Sequence, residues 1–308
     1  MLADGNGALK PTLVLFPGAL GDAVCFEPTL DAIAADGPVV LHARGAAASV
    51  ATLFPSRPRV RSLDEPAIAG LFAHLDEGRA GRGDGADWLS GFGRIVSLTG
   101  ASDPAARSRL EARGARVVAF PRRPVGRHLC DAFLRSATGD ESAVARPPRV
   151  VVPPSGVPEG RGDRLLLIHP GAGAVARRTP FEVLVSIAGR WRGGGHGDVG
   201  AIVGPADEDL AGAWTSRGYR VLRPSTASAL AGELARASAF VGNDSGPSHL
   251  AAAVGLPGLA LFRASDPALF APRAERFVWL ALDGGSDAAD RAWNALRRVV
   301  LDSPGGRH

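Results

Sequence analysis

Phe240-Val-Gly-Asn-Asp-Ser-Gly-Pro-Ser-His-Leu-Ala-Ala-Ala-Val-Gly-Leu-Pro257 decides how this chain folds. Ala237 to Gly242 is a short apolar run, as expected for a buried strand. Asn243, Asp244, Ser245 and Gly246 form a polar turn, and Pro247 suits the first helical position, where a backbone donor is not needed. Leu250 to Val254 continues the helix, Gly255 fits its C-terminal cap and Pro257 stops it. A helix N-terminus is therefore expected at the carboxyl end of a strand. Its unpaired N–H groups and dipole favour anions, phosphates above all. Asp244, Ser245 and His249 surround that position with groups able to contact a sugar or a phosphate. An isolated Asp-Ser-Gly corner is as well explained by capping alone, so its reading depends on the rest of the chain.

The 308 residues exceed a typical single domain and suggest two. A hydrophobic share of 45% with 21% charged residues describes an ordinary globular protein with a sizeable core. No apolar run approaches the roughly 20 residues of a membrane span. Met1 to Lys10 is polar and glycine-bearing, so no secretory signal is expected there. Cys25 and Cys130 are the only cysteines, which argues against a disulfide framework or a zinc site and for a reducing compartment, the cytoplasm. The formal charge is +4, and Lys10 is the only lysine among the basic residues. A pI near 9.9 admits anionic partners, but the arginines are scattered and not interleaved with aromatics. Nucleic acid is therefore not the expected partner.

Thr12 to Phe16 is a continuous apolar run, the pattern of a strand buried on both faces of a parallel sheet. A glycine-rich turn, Pro17-Gly-Ala-Leu-Gly-Asp22, and a helix over Val24–Ile33 follow it. Strand-like Val39–Ala43, Ile95–Leu98 and Val117–Phe120 alternate with helix-like Ile68–Leu75 and Ala105–Arg113, the rhythm of βαβ units. Glu77–Asp87 reads as a loop, His128–Leu134 as an amphipathic segment, and the proline-rich Arg146–Pro154 as an interdomain linker. The second half restarts the pattern. Strands are expected at Leu165–Ile168, Val199–Val203, Tyr219–Leu222 and Leu259–Phe262, and helices at Phe181–Trp191, Leu210–Arg217, Ala227–Ala237 and Ala288–Leu301. Leu13-Val-Leu-Phe-Pro-Gly-Ala-Leu-Gly21 and Leu166-Leu-Ile-His-Pro-Gly-Ala-Gly173 each run an apolar strand into Pro-Gly-Ala. The expected fold class is thus α/β, with two similar doubly wound domains facing one another over residues 1–150 and 151–308.

Neither glycine-rich turn is the dinucleotide fingerprint, and neither carries the Gly-Lys-Ser/Thr of a P-loop. Gly18, Gly21, Gly171 and Gly173 let backbone approach a ligand closely, or simply permit tight turns. Asp22, at the carboxyl end of the first strand, is placed either to act as a general base or to cap its helix. Arg177 and Arg178 lie between the His169-Pro-Gly turn and the next helix, within reach of a diphosphate unless they are solvated loop arginines. Asp207-Glu-Asp209 formally satisfies an Asp-x-Asp metal signature, although acids at a helix start are common. Ser245 with His249 does not read as a hydrolase pair, because no Gly-x-Ser-x-Gly elbow is present.

Together these segments resemble glycosyltransferase family 9, the bacterial lipopolysaccharide heptosyltransferases. Pro17-Gly-Ala-Leu-Gly-Asp22, with Pro28 and Leu30, is similar to the family's N-terminal Gly-Asp turn. His169-Pro-Gly-Ala-Gly173 with Arg177-Arg-Thr-Pro180 is similar to its His-Pro-Gly-Ala segment ending in Lys-x-Trp-Pro. Val241 to Pro257 resembles its Asp-Thr-Gly-x-Ser-His-Leu-Ala signature. Arg177 stands where Lys is usual, Thr179 where Trp is, and Ser245 where Thr is. The resemblance implies the GT-B architecture, two Rossmann-like domains facing a central cleft. It implies Asp22 as catalytic base for an inverting transfer, with Gly18 and Gly21 in the acceptor-side loop of residues 1–150. Residues 151–308 would bind the donor, a nucleotide sugar such as ADP-heptose, through Gly171, Arg177, Arg178, Asp207, Asp244, Ser245, Gly246 and His249. Asp207 and Glu208 compete for the ribose contact. No cofactor and no metal are implied, the nucleotide sugar being a substrate. The acceptor would be a lipopolysaccharide-core or related lipid-linked glycan met at the cytoplasmic side of the inner membrane, with peripheral membrane contact there. Two other readings use similar sequence features: a nucleotide-sugar epimerase of the same shape, and a non-catalytic nucleotide-sugar-binding member.

Overall fold

The structure, a computed structural model, describes residues 9–72, 87–153 and 164–302. The chain divides into two compact units, Met1–Arg146 and Pro147–His308. The N-terminal unit runs β1 (Thr12–Leu15), α1 (Leu20–Ala34), β2 (Val39–Ala43), α2 (Gly45–Ala51), β3 (Arg59–Ser62), α3 (Pro66–Phe72), β4 (Arg94–Ser97), α4 (Pro104–Glu111), β5 (Ala115–Val117) and α5 (Leu129–Thr138). Its sheet is parallel, in the order β3-β2-β1-β4-β5. Central β1 is buried at all four residues, which is why its sequence is an unbroken apolar run. At the edge, β3 is Arg-Val-Arg-Ser with three residues exposed, and no strand is expected from so polar a segment. The loop expected over Glu77–Asp87 lies outside the described residues up to 86, and Asp87–Gly91 forms a 3-10 turn.

The C-terminal unit runs β6 (Leu165–His169), α6 (Phe181–Gly193), β7 (Asp198–Ile202), α7 (Ala211–Thr215), β8 (Arg220–Leu222), α8 (Ala227–Arg236), β9 (Ala239–Asn243), α9 (Gly246–Val254), β10 (Gly258–Phe262), α10 (Pro267–Phe270), β11 (Phe277–Ala281) and α11 (Ala288–Val300). The parallel sheet has the order β11-β10-β9-β6-β7-β8. Two elements differ from the sequence expectation, which ends the sheet at Leu259–Phe262. The short α10 and the edge strand β11 follow that segment, and β11 has one neighbour and a half-exposed Trp279. The expected helix over Leu210–Arg217 is a 3-10 turn at Pro205–Leu210 followed by the shorter α7.

One face of this sheet packs Leu166, Ile168, Val199 and Val241 against α6 and α11, with Trp191 of α6 fully buried among them. The indole N–H of Trp191 is buried with no hydrogen-bond partner among the described residues. Its contribution is therefore volume and apolar contact. Trp191→Ala should lose about 3–5 kcal/mol of stability, whereas Trp191→Phe, which removes the unpaired N–H, should lose under about 1.5 kcal/mol. Urea unfolding followed by circular dichroism separates the two; equal losses would contradict this account.

Candidate nucleotide-sugar site

Strand order reverses direction between β6 and β9, where chain connections leave to opposite sides. Ligands of open parallel sheets bind at the carboxyl ends of strands at such a switch point. The two strands lie in register, His169 beside Gly242, so His169 and Asn243 end side by side. Three glycine- or acid-bearing turns converge there: residues 170–180 after β6, 204–210 after β7, and the Asn243–Gly246 corner between β9 and α9.

Asn243 joins two of them. Its side chain is fully buried, and its amide nitrogen donates to the carbonyls of Pro170 (2.8 Å) and Gly171 (3.0 Å). Its amide oxygen accepts the backbone N–H of Thr179 at 2.9 Å. Its backbone carbonyl accepts Ser248 Oγ at 2.6 Å and Ser245 Oγ at 3.3 Å. The sequence reading places Asn243 in the turn and gives it no role. A polar residue ending an otherwise apolar strand is the one signal that marks it.

The charged residues are largely paired with one another. One guanidinium nitrogen of Arg177 bonds Asp244 at 3.1 Å, and Ser265 Oγ donates to the same carboxylate oxygen at 2.5 Å. Arg178 bonds Asp207 (3.0 Å), Asp209 (3.1 Å) and the Ala206 carbonyl (3.4 Å). It is not a solvated loop arginine, since it holds the 204–210 turn. The backbone carbonyl of Arg178 in turn accepts from Arg263 at 2.8 Å. Glu208 is exposed and faces Arg223, 2.7 Å away, whereas Asp207 is buried. Asp207 also lies 3.6 Å from Nε2 of His169, and hydrogen bonding from His169, together with the positive charge of Arg178, holds its carboxyl below the usual range. A Cβ on Gly171 would collide with the Asp207 carboxylate. That glycine is needed for Asp207 to reach His169. The two outer acids of the Asp-x-Asp signature share Arg178, and no group of three or more metal-ligating side chains lies together among the described residues.

The structure thus gathers Gly171, Arg177, Arg178, Asp207, Asp244, Ser245, Gly246 and His249 around the ends of β6, β7 and β9. Ser245 is the N-cap residue of α9, in extended conformation, Gly246 is its first helical residue, and His249 is buried on its first turn. His169, whose Nδ1 is 3.1 Å from Ser245 Oγ, belongs to this group although the sequence names it only as part of a motif.

Residues 209–292 match the family model of glycosyltransferase family 9 (heptosyltransferase). The match lies within the C-terminal unit. Among solved structures, a glycosyltransferase family 9 protein from Veillonella parvula DSM 2008 is 16% identical, with a TM-score of 0.74 over 96% of this chain and 98% of that one. E. coli ADP-heptose lps heptosyltransferase II is 18% identical, with a TM-score of 0.68 over 94% of this chain and 98% of that one. E. coli heptosyltransferase WaaC, determined with ADP, is 14% identical with a TM-score of 0.68, over 94% of this chain and all of that one. At these identities the likeness is one of fold, two parallel-sheet units of the kind those glycosyltransferases share. No curated protein sequence matches the chain.

In the N-terminal unit, Asp22 lies in the first turn of α1, and its Oδ2 accepts the backbone N–H of Ala19 at 2.9 Å. It lines a cavity of about 300 Å³ with Pro17, Gly18, Ala19, Phe120 and Arg122. Phe16, Phe26, Phe120 and Phe133 form a ring cluster beneath that loop, with centroids 4.7–5.9 Å apart. A Cβ on Gly18 would stand 2.6 Å from the Phe16 ring and 2.7 Å from Cβ of Asp22. Gly18 thus allows the aromatic cluster and Asp22 to meet. Gly21 falls within α1, next to Asp22. His128 caps α5, its Nδ1 accepting the N–H of Cys130 at 3.2 Å.

The Asn243 arrangement makes a definite demand on its amide. Asn243→Asp keeps the acceptor for Thr179 but places a second carboxyl oxygen against two carbonyls. At neutral pH this should cost about 3 kcal/mol or more. The loss should shrink as the pH is lowered, because a protonated carboxyl can donate to one of those carbonyls. Urea unfolding at pH 7 and in mild acid measures both effects; parental stability at pH 7 would contradict the arrangement.

Proposed function

We propose that this glycosyltransferase is an inverting, metal-independent enzyme that moves heptose from ADP-heptose to a lipopolysaccharide-core or related glycan acceptor. The observation that carries the reading is the N-terminus of α9, set at the switch point of the C-terminal sheet and held there by Asn243. The Gly246 N–H at the start of α9, the Ser245 hydroxyl and the partly exposed Arg177 are the chemistry that receives a diphosphate. As the bond between the anomeric carbon and the β-phosphate oxygen breaks, the same groups offset the charge gained by the departing nucleoside diphosphate. Gly171, Arg178, Asp207 and Asp244 shape the walls of this site, with Asp207 oriented by His169 and Arg178. Support for the ADP-linked sugar comes from the family description and from relatives of this fold, among them WaaC determined with ADP and with ADP-2-deoxy-2-fluoro heptose.

In this proposal residues 1–150 serve the acceptor, and residues 151–308 serve the donor. Asp22 takes the proton of the acceptor hydroxyl as its oxygen bonds the anomeric carbon from the face opposite the leaving group. The cavity beside Asp22 includes Arg122, which suits an anionic acceptor. A basic chain suits peripheral contact with an anionic membrane at its cytoplasmic face. No helix among the described residues is long and apolar enough to cross a membrane.

Asp22→Asn should lower sugar transfer by about 10²–10⁴-fold while leaving ADP affinity within about twofold. Calorimetry with ADP, UDP and GDP, with and without magnesium, provides the binding arm, and ADP is expected to bind without the metal. Parallel loss of transfer and of ADP binding in Asp22→Asn would remove Asp22 from the role of base.

A further inference from the structure

A second cavity, of about 400 Å³, opens in the N-terminal unit on the same sheet edge as the turn that carries Asp22. Its walls come from Arg44 after β2, Leu63 and Asp64 after β3, Ile68 and Phe72 of α3, and Thr99 after β4. That volume falls in the range of roughly 300–1,000 Å³ that small-ligand sites occupy. The carboxyl ends of strands in an open parallel sheet are where such ligands bind. No wall residue is shared with the cavity beside Asp22, so the two are separate sites on one edge.

The floor of this cavity is apolar and its rim is polar. Leu63 and Ile68 are buried, and Phe72 is half-buried against the N-terminal core. Arg44 and Asp64 are exposed at the rim, where Nε of Arg44 donates to Oδ1 of Asp64 at 2.6 Å. The pair carries no net charge. It engages one nitrogen and one oxygen, so the two terminal nitrogens of Arg44 and Oδ2 of Asp64 have no partner among the described residues. An exposed pair of this kind adds little to stability. The cavity therefore presents guanidinium donors and a carboxylate acceptor side by side above an aromatic and aliphatic floor.

A phosphate gains little from a guanidinium that a carboxylate already neutralises, and it is repelled by the free oxygen of that carboxylate. An uncharged sugar ring meets each demand of the cavity. Its C–H face covers Phe72, Leu63 and Ile68, and its hydroxyls, each both donor and acceptor, bridge Oδ2 of Asp64 and the N–H groups of Arg44. We propose that this cavity is a saccharide subsite that holds an uncharged sugar unit of the acceptor glycan, distinct from the unit whose hydroxyl reacts beside Asp22. The inference rests on the reading of residues 1–150 as the acceptor side. Asp64 is then a specificity-determining residue: by cancelling the charge of Arg44 it makes the rim select hydroxyls over anions.

Titration of the full chain with glucose, galactose, mannose and N-acetylglucosamine, and with glucose 6-phosphate and inorganic phosphate, tests it through backbone amide resonances. At least one of the uncharged sugars should shift the signals of residues 63–72 and of Thr99, and inorganic phosphate should not. Asp64→Asn should weaken that sugar by about tenfold and, by leaving Arg44 unneutralised, strengthen glucose 6-phosphate at the same signals. Phe72→Ala should weaken both. Since Arg44 and Asp64 form an exposed pair, Asp64→Asn should leave stability nearly unchanged. Inorganic phosphate bound here by the unaltered protein, or an Asp64→Asn variant that keeps the original preference between sugar and sugar phosphate, would overturn the subsite. Sugar shifts confined to residues 18–22, 120 and 122 would overturn the subsite while leaving the acceptor reading standing. No shift at either cavity with any of the four sugars would overturn the subsite and the acceptor reading together.

Discussion

The C-terminal unit depends on one buried amide. Three backbone groups of the loop after β6, at Pro170, Gly171 and Thr179, are left by the fold pointing into the end of the sheet, where water cannot serve them. Asn243 is the side chain that meets all three, because only a carboxamide presents two donors and an acceptor in so small a volume. The cost of leaving such groups unmet is the desolvation penalty of each. That penalty fixes the loop after β6 against the corner before α9, and every other contact at the site is built on the resulting frame.

Within that frame, positive charge is neutralised almost completely by the protein itself. Arg178 is held by Asp207 and Asp209, and Arg177 is bonded to Asp244. A site that binds a diphosphate on scattered free arginines would be strongly attractive and poorly shaped. Here the carboxylates hold the guanidinium groups in place, and Ser245 and the Gly246 end of α9 stand beside them. Asp207 and Asp209 of the 204–210 turn act chiefly as structural counter-charges, both through Arg178.

Much of this fold is legible in the sequence, for a physical reason. Strands at the centre of a parallel sheet are buried on both faces, so Leu13–Leu15 and Leu166–Ile168 are unbroken apolar runs. Edge strands lack that constraint: Arg59–Ser62 is polar at three of its four positions, and Phe277–Ala281 pairs with a single neighbour. The strand–turn–helix corner at Asn243–Val254 is equally legible, because proline, serine and glycine each have a local backbone role there. Partnerships are not legible. That Arg178 is consumed by Asp207 and Asp209, or that His169 stands between Asp207 and Ser245, depends on which turns the sheet order brings together. Sequence neighbours carry no trace of a contact spanning 76 residues, as that of His169 with Ser245 does.

The most direct test of the account is a crystal structure of the protein with ADP bound. The account predicts the diphosphate at the N-terminus of α9, its oxygens within hydrogen-bond distance of the Gly246 backbone N–H and Ser245 Oγ, with Asn243 keeping its three bonds. A diphosphate seated elsewhere, with Ser245 still turned to His169, would contradict it.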